Sequence, residues 1–199
     1  TDAANSDLYI HGEGSLTYQG SNMYFFNSAI TVNGGKLCVD GTTIRGSNGY
    51  HTGYCYGINA LYGNVVIQGG ANIIGEVYSG DGVCALSVGE EGLNKSLSVS
   101  IWDGKFYVDR DVEDGNHDHG IWVNNDCGLR IYGGAFDGIQ LNRYAADDLS
   151  EYIQNGCVMT INGAKVNPAN YSTIDGSIVE VYKEIYKVDI HVNSPSAGE

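Results

Sequence analysis

Proline is almost missing from this chain, at 2 of 199 residues, and methionine is equally rare. Cationic side chains are few: 10 Lys and Arg stand against 24 Asp and Glu, a net charge of −14. Nucleic-acid binding needs clustered Lys or Arg to neutralise phosphates, and no such cluster occurs, so no nucleic-acid partner is expected. No run of 18 apolar residues exists, so no transmembrane helix and no direct membrane insertion are expected. No long Ala, Leu, Lys and Glu stretch is present, which argues against a helical solenoid. The 29 Gly residues follow no G-X-Y period and sit in ordinary apolar content, which excludes collagen and low-complexity linkers. No secretory leader is visible, and a start at Thr1 says little about compartment. Five Cys, an odd number, do not make a dense disulfide framework. The acidic balance suits neutral glycans, cations or simple solubility, and it disfavours acidic polysaccharide unless calcium bridges it.

What the chain does have is Gly with Tyr, Val and Ile, the material of short strands and tight turns. It also has a recurring phrase, apolar–x–apolar–x–Gly/Asp–Gly/Ala. The copies are Ile30-Thr31-Val32-Asn33-Gly34-Gly35, Val65-Val66-Ile67-Gln68-Gly69-Gly70, Val99-Ser100-Ile101-Trp102-Asp103-Gly104 and Leu129-Arg130-Ile131-Tyr132-Gly133-Gly134. Looser copies are Leu8-Tyr9-Ile10-His11-Gly12-Glu13 and Met159-Thr160-Ile161-Asn162-Gly163-Ala164. From Gly34 onward the intervals are 35, 34, 30 and 30 residues. Self-similarity at this period predicts a solenoid, with function on a stacked outer face.

Each repeat holds further apolar pieces. A second follows the Gly pair: Lys36–Val39, Ala71–Ile74, Lys105–Val108 and Ala135–Asp137. A third opens on Gly: Gly57–Ala60, Gly82–Ala85 and Gly120–Val123. Three short strands per turn predict an all-β, right-handed parallel β-helix of about six short coils, stacked at about the 4.8 Å interstrand spacing. The expected boundaries are an extension over residues 1–6, the β-helix over 7–177, C-terminal strands over 178–192 and a tail over 193–199. The alternating 178–192 segment reads as a closing coil, a cap or the start of a following domain. Ala145–Gln154 reads as a short helix or a long loop. Cys127 and Cys157 each lie six residues before a repeat Gly, which predicts that they stack in adjacent coils, as a disulfide or as two core thiols.

The run Asp7–Leu16 and the phrase Ile30–Leu37 resemble bacterial exported β-helix proteins, within the wider pectate-lyase-like group. A closer resemblance is to carbohydrate-binding β-helix domains of secreted and cell-surface Firmicutes proteins. It rests on the repeat pattern over residues 7–167. It implies export to a secreted or cell-surface location, contact with polysaccharide and bound calcium, and it brings no catalytic motif.

Alternation places His11, Asn33, Gln68, Trp102, Tyr132 and Asn162 in one outward column, beside Tyr9, Thr31, Val66, Ser100, Arg130 and Thr160. Trp102 above Tyr132, with Arg130, Gln68 and Asn33 around them, reads as a glycan platform. The same aromatics can instead stack on each other for stability. Trp122 is a second aromatic candidate, beside Asn59 and Cys84, with core packing as its other role. The Tyr-rich loop Tyr50–Tyr56 is either a sugar contact or a packed cover. The acidic run around Asp109, Asp111, Glu113, Asp114 and Asp118 suggests a calcium loop, although Gly115 falls one place late for the usual pattern. His117 and His119 flank Asp118 without a third zinc ligand. Asp103 and Asp137 are the best carboxyl pair for glycoside hydrolysis, yet they occupy different places in their repeats. The chain is therefore expected to be a non-catalytic carbohydrate-binding module. A structural or adhesive stalk, and a lyase or glycoside hydrolase, are the alternatives.

Overall fold

The computed structural model describes residues 6–20, 27–48, 54–77, 82–91, 96–110, 118–125 and 127–184. The chain forms the all-β parallel solenoid that its repeats predict. Among the described residues the helical pieces are two one-turn 3-10 helices, Leu149–Glu151 and Pro168–Asn170.

Three faces build the solenoid. The first stacks β1 (Asp7–His11), the C-terminal half of β3 (Asn27–Asp40), the C-terminal half of β5 (Tyr54–Gln68), β8 (Leu97–Ile101) and β11 (Gly128–Ile131). The second stacks β2 (Ser15–Gly20), β4 (Thr43–Asn48), β6 (Asn72–Val77), β9 (Lys105–Arg110) and the start of β12 (Gly134–Leu141). The third stacks the N-terminal halves of β3 and β5, then β7 (Gly82–Val88), β10 (Asp118–Val123) and the end of β12.

Inward positions of successive rungs meet in register, and this makes the core. Leu37, Val65, Val99 and Leu129 form one buried ladder, and Val39, Ile67, Ile101 and Ile131 its neighbour. The second face contributes Ile44, Ile73, Phe106 and Phe136, and the third Ile58, Leu86, Ile121 and Ile139. The Phe106 and Phe136 rings stack with centroids 5.0 Å apart. Burying each such side chain contributes about 1.5–3 kcal/mol, so the stability is spread along the ladders. Close packing requires Gly both within strands and at corners. A Cβ on Gly46 would collide with the Tyr56 carbonyl, and Gly69 combines a φ of +66° with the Asp40 carboxylate where its Cβ would sit.

The two ends differ. Leu8 and Leu16, which register with the buried Leu37 and Ile44, are 52% and 41% exposed, because no described rung lies beyond β1 and β2. The other end is closed by β13 (Cys157–Ile161), β14 (Ala164–Val166) and β15 (Thr173–Lys183). β15 runs antiparallel to both β12 and β13, and it buries Ile174, Val179 and Val181 over the last rung.

Several expectations change with these pairings. The copy at Ile30–Gly35 belongs to the third face, where Ile30 and Val32 register with Ile58 and Ala60. The first-face copy is Leu37-Cys38-Val39-Asp40-Gly41. Both segments alternate apolar and polar and both end in Gly, so the phrase alone does not separate them. With this correction the inward residues Ile10, Val39, Ile67, Ile101 and Ile131 recur after 29, 28, 34 and 30 residues. The copy at Met159–Ala164 is no rung. Asn162 and Gly163 have φ of 49° and 80°, the turn between antiparallel β13 and β14, and Asn-Gly is the preferred pair for a two-residue hairpin with both φ positive. Cys127 and Cys157 consequently do not stack in neighbouring rungs; both are free thiols, and Cys157 Sγ donates to the Tyr132 carbonyl at 3.3 Å. Ala145–Gln154 is a loop with the single 3-10 turn, N-capped by Asp148, whose side chain accepts from the Ser150 amide. Residues 178–183 belong to the strand that starts at Thr173, and residues 185–192 lie outside the described residues.

Candidate functional site

On the first face, Tyr9, Cys38, Val66, Ser100 and Arg130 make one outward column. The corner column is His11, Asp40, Gln68, Trp102 and Tyr132, because the Trp102 and Tyr132 amides continue the ladder onto the Ile67 and Ile101 carbonyls. Gln68, Trp102, Tyr132 and Arg130 thus share a face as expected. Asn33 does not: it registers with Tyr62 at the end of the third face, and Asp40 holds the place expected for it. Asp40 Oδ2 accepts from Tyr9 Oη and from Gln68 Nε2, each at 2.9 Å. The bond from Gln68, then that from Tyr9, holds the Asp40 carboxyl below its ordinary range, and the same contact raises the Tyr9 phenol.

Trp102 and Tyr132 are stacked with centroids 4.0 Å apart and planes 3° from parallel. Each ring therefore covers one face of the other, and Trp102 is 52% exposed. Sugar C–H surfaces pack against aromatic faces, and stacked rings also stabilise neighbouring rungs, so the geometry suits either of the two expected roles. Arg130 is exposed and has no ion-pair partner among the described residues.

The third face is built differently. Its outward column is Thr31, Asn59, Ser87, Trp122 and Gln140. Trp122 lines a cleft of about 490 Å³ together with Tyr54, Tyr56, Asn59, Leu61, Ser87, Gly89, Glu90, Glu91 and Asn124. This volume is in the range of small-ligand sites. The Tyr54 ring lies 5.7 Å from that of Trp122 at a 43° tilt, and 6.4 Å from that of Tyr56. The Tyr54 and Trp122 rings are tilted to each other, whereas the Tyr54 and Tyr56 rings lie 18° from parallel. Burial pushes the Tyr56 phenol well up, so it stays a neutral hydroxyl.

The polar groups of the cleft fall into two sets. Asn124 Nδ2 is engaged, donating to Ser87 Oγ at 3.0 Å and to the Gly89 carbonyl at 3.3 Å. Asn125 holds the Glu90 carbonyl at 3.1 Å, and Arg143 pairs with Glu91 at 2.9 Å on the rim. Trp122 Nε1 and Asn59 Oδ1, by contrast, are shielded from solvent without a hydrogen-bond partner. Leaving such groups unpaired costs about 1–3 kcal/mol each.

Of the acidic residues expected to hold calcium, Asp109 and Asp118 are among the described residues. Asp109 Oδ2 accepts from Arg45 Nη1 at 2.9 Å, and the same guanidinium also binds Glu76 on the second face. Asp118 begins β10 opposite Val83. Asp111, Glu113, Asp114 and His117 lie outside the described residues. His119 is buried, with Nδ1 3.3 Å from the Asp175 carboxylate. Among the described residues no three His, Cys, Asp or Glu side chains are grouped to hold a metal. Asp103 is exposed and caps its own corner by accepting from the Gly104 amide, whereas Asp137 is half-buried on the second face, where burial raises its carboxyl. The two share no column.

No family model matches the chain, and no curated protein or solved structure matches it.

The sequence names Trp122 and the Tyr50–Tyr56 loop separately; what it hides is that they meet. The signal lies in the register of the third strands. Trp122 aligns with Ser87 and Asn59, while Cys84 aligns with Tyr56 and His119.

Proposed function

We propose that this chain is a non-catalytic carbohydrate-binding module of a secreted or cell-surface protein, of the kind the Firmicutes β-helix resemblance implies. The observation that carries the reading is the third-face cleft, where aromatic surface from Tyr54 and Trp122 meets amide and hydroxyl groups from Asn59, Ser87 and Asn124. Aromatic surface packs against sugar C–H groups, and the amide and hydroxyl side chains that line the cleft suit sugar hydroxyls. Catalysis finds less support, since the two carboxyls best suited to glycoside cleavage lie apart from this cleft.

The test is retention on insoluble polysaccharides by wild type and Trp122→Ala, each with calcium and with chelator. The reading expects retention that Trp122→Ala abolishes while the melting temperature holds. Retention that needs calcium would draw the Asp109–Asp118 segment into the site. Equal retention by wild type and variant would remove the cleft from the function. A stalk role, binding nothing itself, uses the Trp102–Tyr132 stack for stability alone and predicts no retention under any condition.

A further inference from the structure

We infer that the open end of the solenoid is an interface with a second copy of this chain, formed head to head by antiparallel pairing of the two β1 strands. This end lies apart from the third-face cleft, whose lining begins at β5. Among the described residues β1 and β2 each have a single neighbour in the sheet, β3 and β4 respectively. Edge strands are ordinarily protected from pairing by Pro, Lys, inward-pointing charges or a bulge. Neither strand has any of these. β1 reads Asp-Leu-Tyr-Ile-His and β2 Ser-Leu-Thr-Tyr-Gln-Gly, and both pair along their whole length without a register shift. Leu8, Tyr9, Leu16 and Tyr18 are exposed there, and Leu8 and Leu16 register with the buried core residues Leu37 and Ile44.

The far end decides which arrangement of two copies is open. There the last rung already has an outer neighbour on each face. Ile131 of β11 bridges to Ile153, and β15 pairs with β12 from Gly134 to Gln140. A head-to-tail stack would need a free rung at that end. A twofold, head-to-head contact needs only the open end, and it closes on itself. β1 is self-complementary in that contact. Centred on Tyr9, an antiparallel pair sets Leu8 against Ile10 of the other copy, so the inward ladder continues across the join. The same register sets Asp7 against His11 of the other copy, twice by symmetry. Apolar and opposite-charge pairs across strands are both stabilising. Any other register that keeps inward residues together breaks the Asp7–His11 match.

Sedimentation equilibrium of the whole chain at about 0.15 M salt tests this. Wild type is expected to dimerise reversibly with a Kd of about 10 μM or below. Leu8→Lys, which adds a cation at each side of the join, should raise Kd at least about tenfold. Leu8 is half-exposed in the single copy, so the melting temperature of dilute protein should hold. Asp7→Lys and His11→Asp should each weaken the dimer about three- to tenfold. The double variant Asp7→Lys/His11→Asp should dimerise better than either single one, because the swap restores opposite charges across the join. His11→Asp also places a carboxylate near Asp40, an effect common to the single and double variants that cancels in the cycle. A wild type that stays monomeric to about 200 μM would overturn the inference. So would open-ended assembly that grows with concentration, a dimer that Leu8→Lys leaves unchanged, or single effects that merely add in the double variant.

Discussion

The two Trp residues show how differently one side-chain type can be placed. Trp102 follows β8 at a corner, one rung before Tyr132, and the strand spacing brings the two rings face to face. Trp122 lies within β10, with small Ser87 on the preceding rung, so nothing covers its ring in the same way. Replacing Trp102 by Ala should destabilise the fold by about 0.5–1.5 kcal/mol, the worth of an aromatic stack beyond its burial. Thermal unfolding and polysaccharide retention, measured on one preparation, check this: the melting temperature should fall and retention should persist. Lost retention with an unchanged melting temperature would return the binding role to the first face.

At the scale of elements, strands are set by their apolar pattern and glycines by what a Cβ would meet. Gly46 lies inside β4 with ordinary backbone, yet a Cβ there would run into the Tyr56 carbonyl of β5. Gly14, between β1 and β2, has open space around it. Gly46→Ala is therefore expected to cost more than about 2 kcal/mol and to broaden or lower the unfolding transition. Gly14→Ala should change stability by less than about 0.5 kcal/mol. Denaturant melts of the two variants decide it, and equal effects would contradict the packing described. The strand-forming pieces were legible in the sequence through alternation in the first-face strands and through the continuous apolar run of β7. Their assignment to faces was only partly legible. Ile30–Val32 and Leu37–Val39 carry the same pattern on either side of Gly34-Gly35, and no local property tells which of the two stands above Val65. The Met159–Ala164 copy misled for a different reason: its Asn-Gly turn reverses the chain, and that local preference outweighs the period of the repeat. The cleft was hidden because Tyr54 and Trp122 are 68 residues apart in the chain and meet only through register.

For the whole molecule, charge couples to stability through a few placed carboxyls. Burial raises the Asp137 carboxyl, so the folded state disfavours its ionised form. That penalty is fully present above the raised value and disappears as the pH falls through it toward the unfolded carboxylate range. Asp137→Asn should raise the melting temperature at pH 7 by about 1–3 °C, a small gain because the carboxyl is only half-buried. Near pH 3 the variant and wild type should melt together. Asp40 has the opposite sign: its hydrogen bonds lower its value, so its contribution is present above the ordinary carboxylate range and is lost as the pH falls through the lowered one. Melting curves across pH separate the two residues.

The most direct measurement uses the fact that the chain has only two Trp, Trp102 and Trp122. With Trp102→Phe in place, Trp122 alone reports by its fluorescence, and a neutral oligosaccharide retained in the polysaccharide assay can be titrated against it. The account predicts a saturable shift and intensity change from Trp122, and none from Trp102 in the reciprocal Trp122→Phe variant. A saturable response from Trp102, with Trp122 silent, would contradict it.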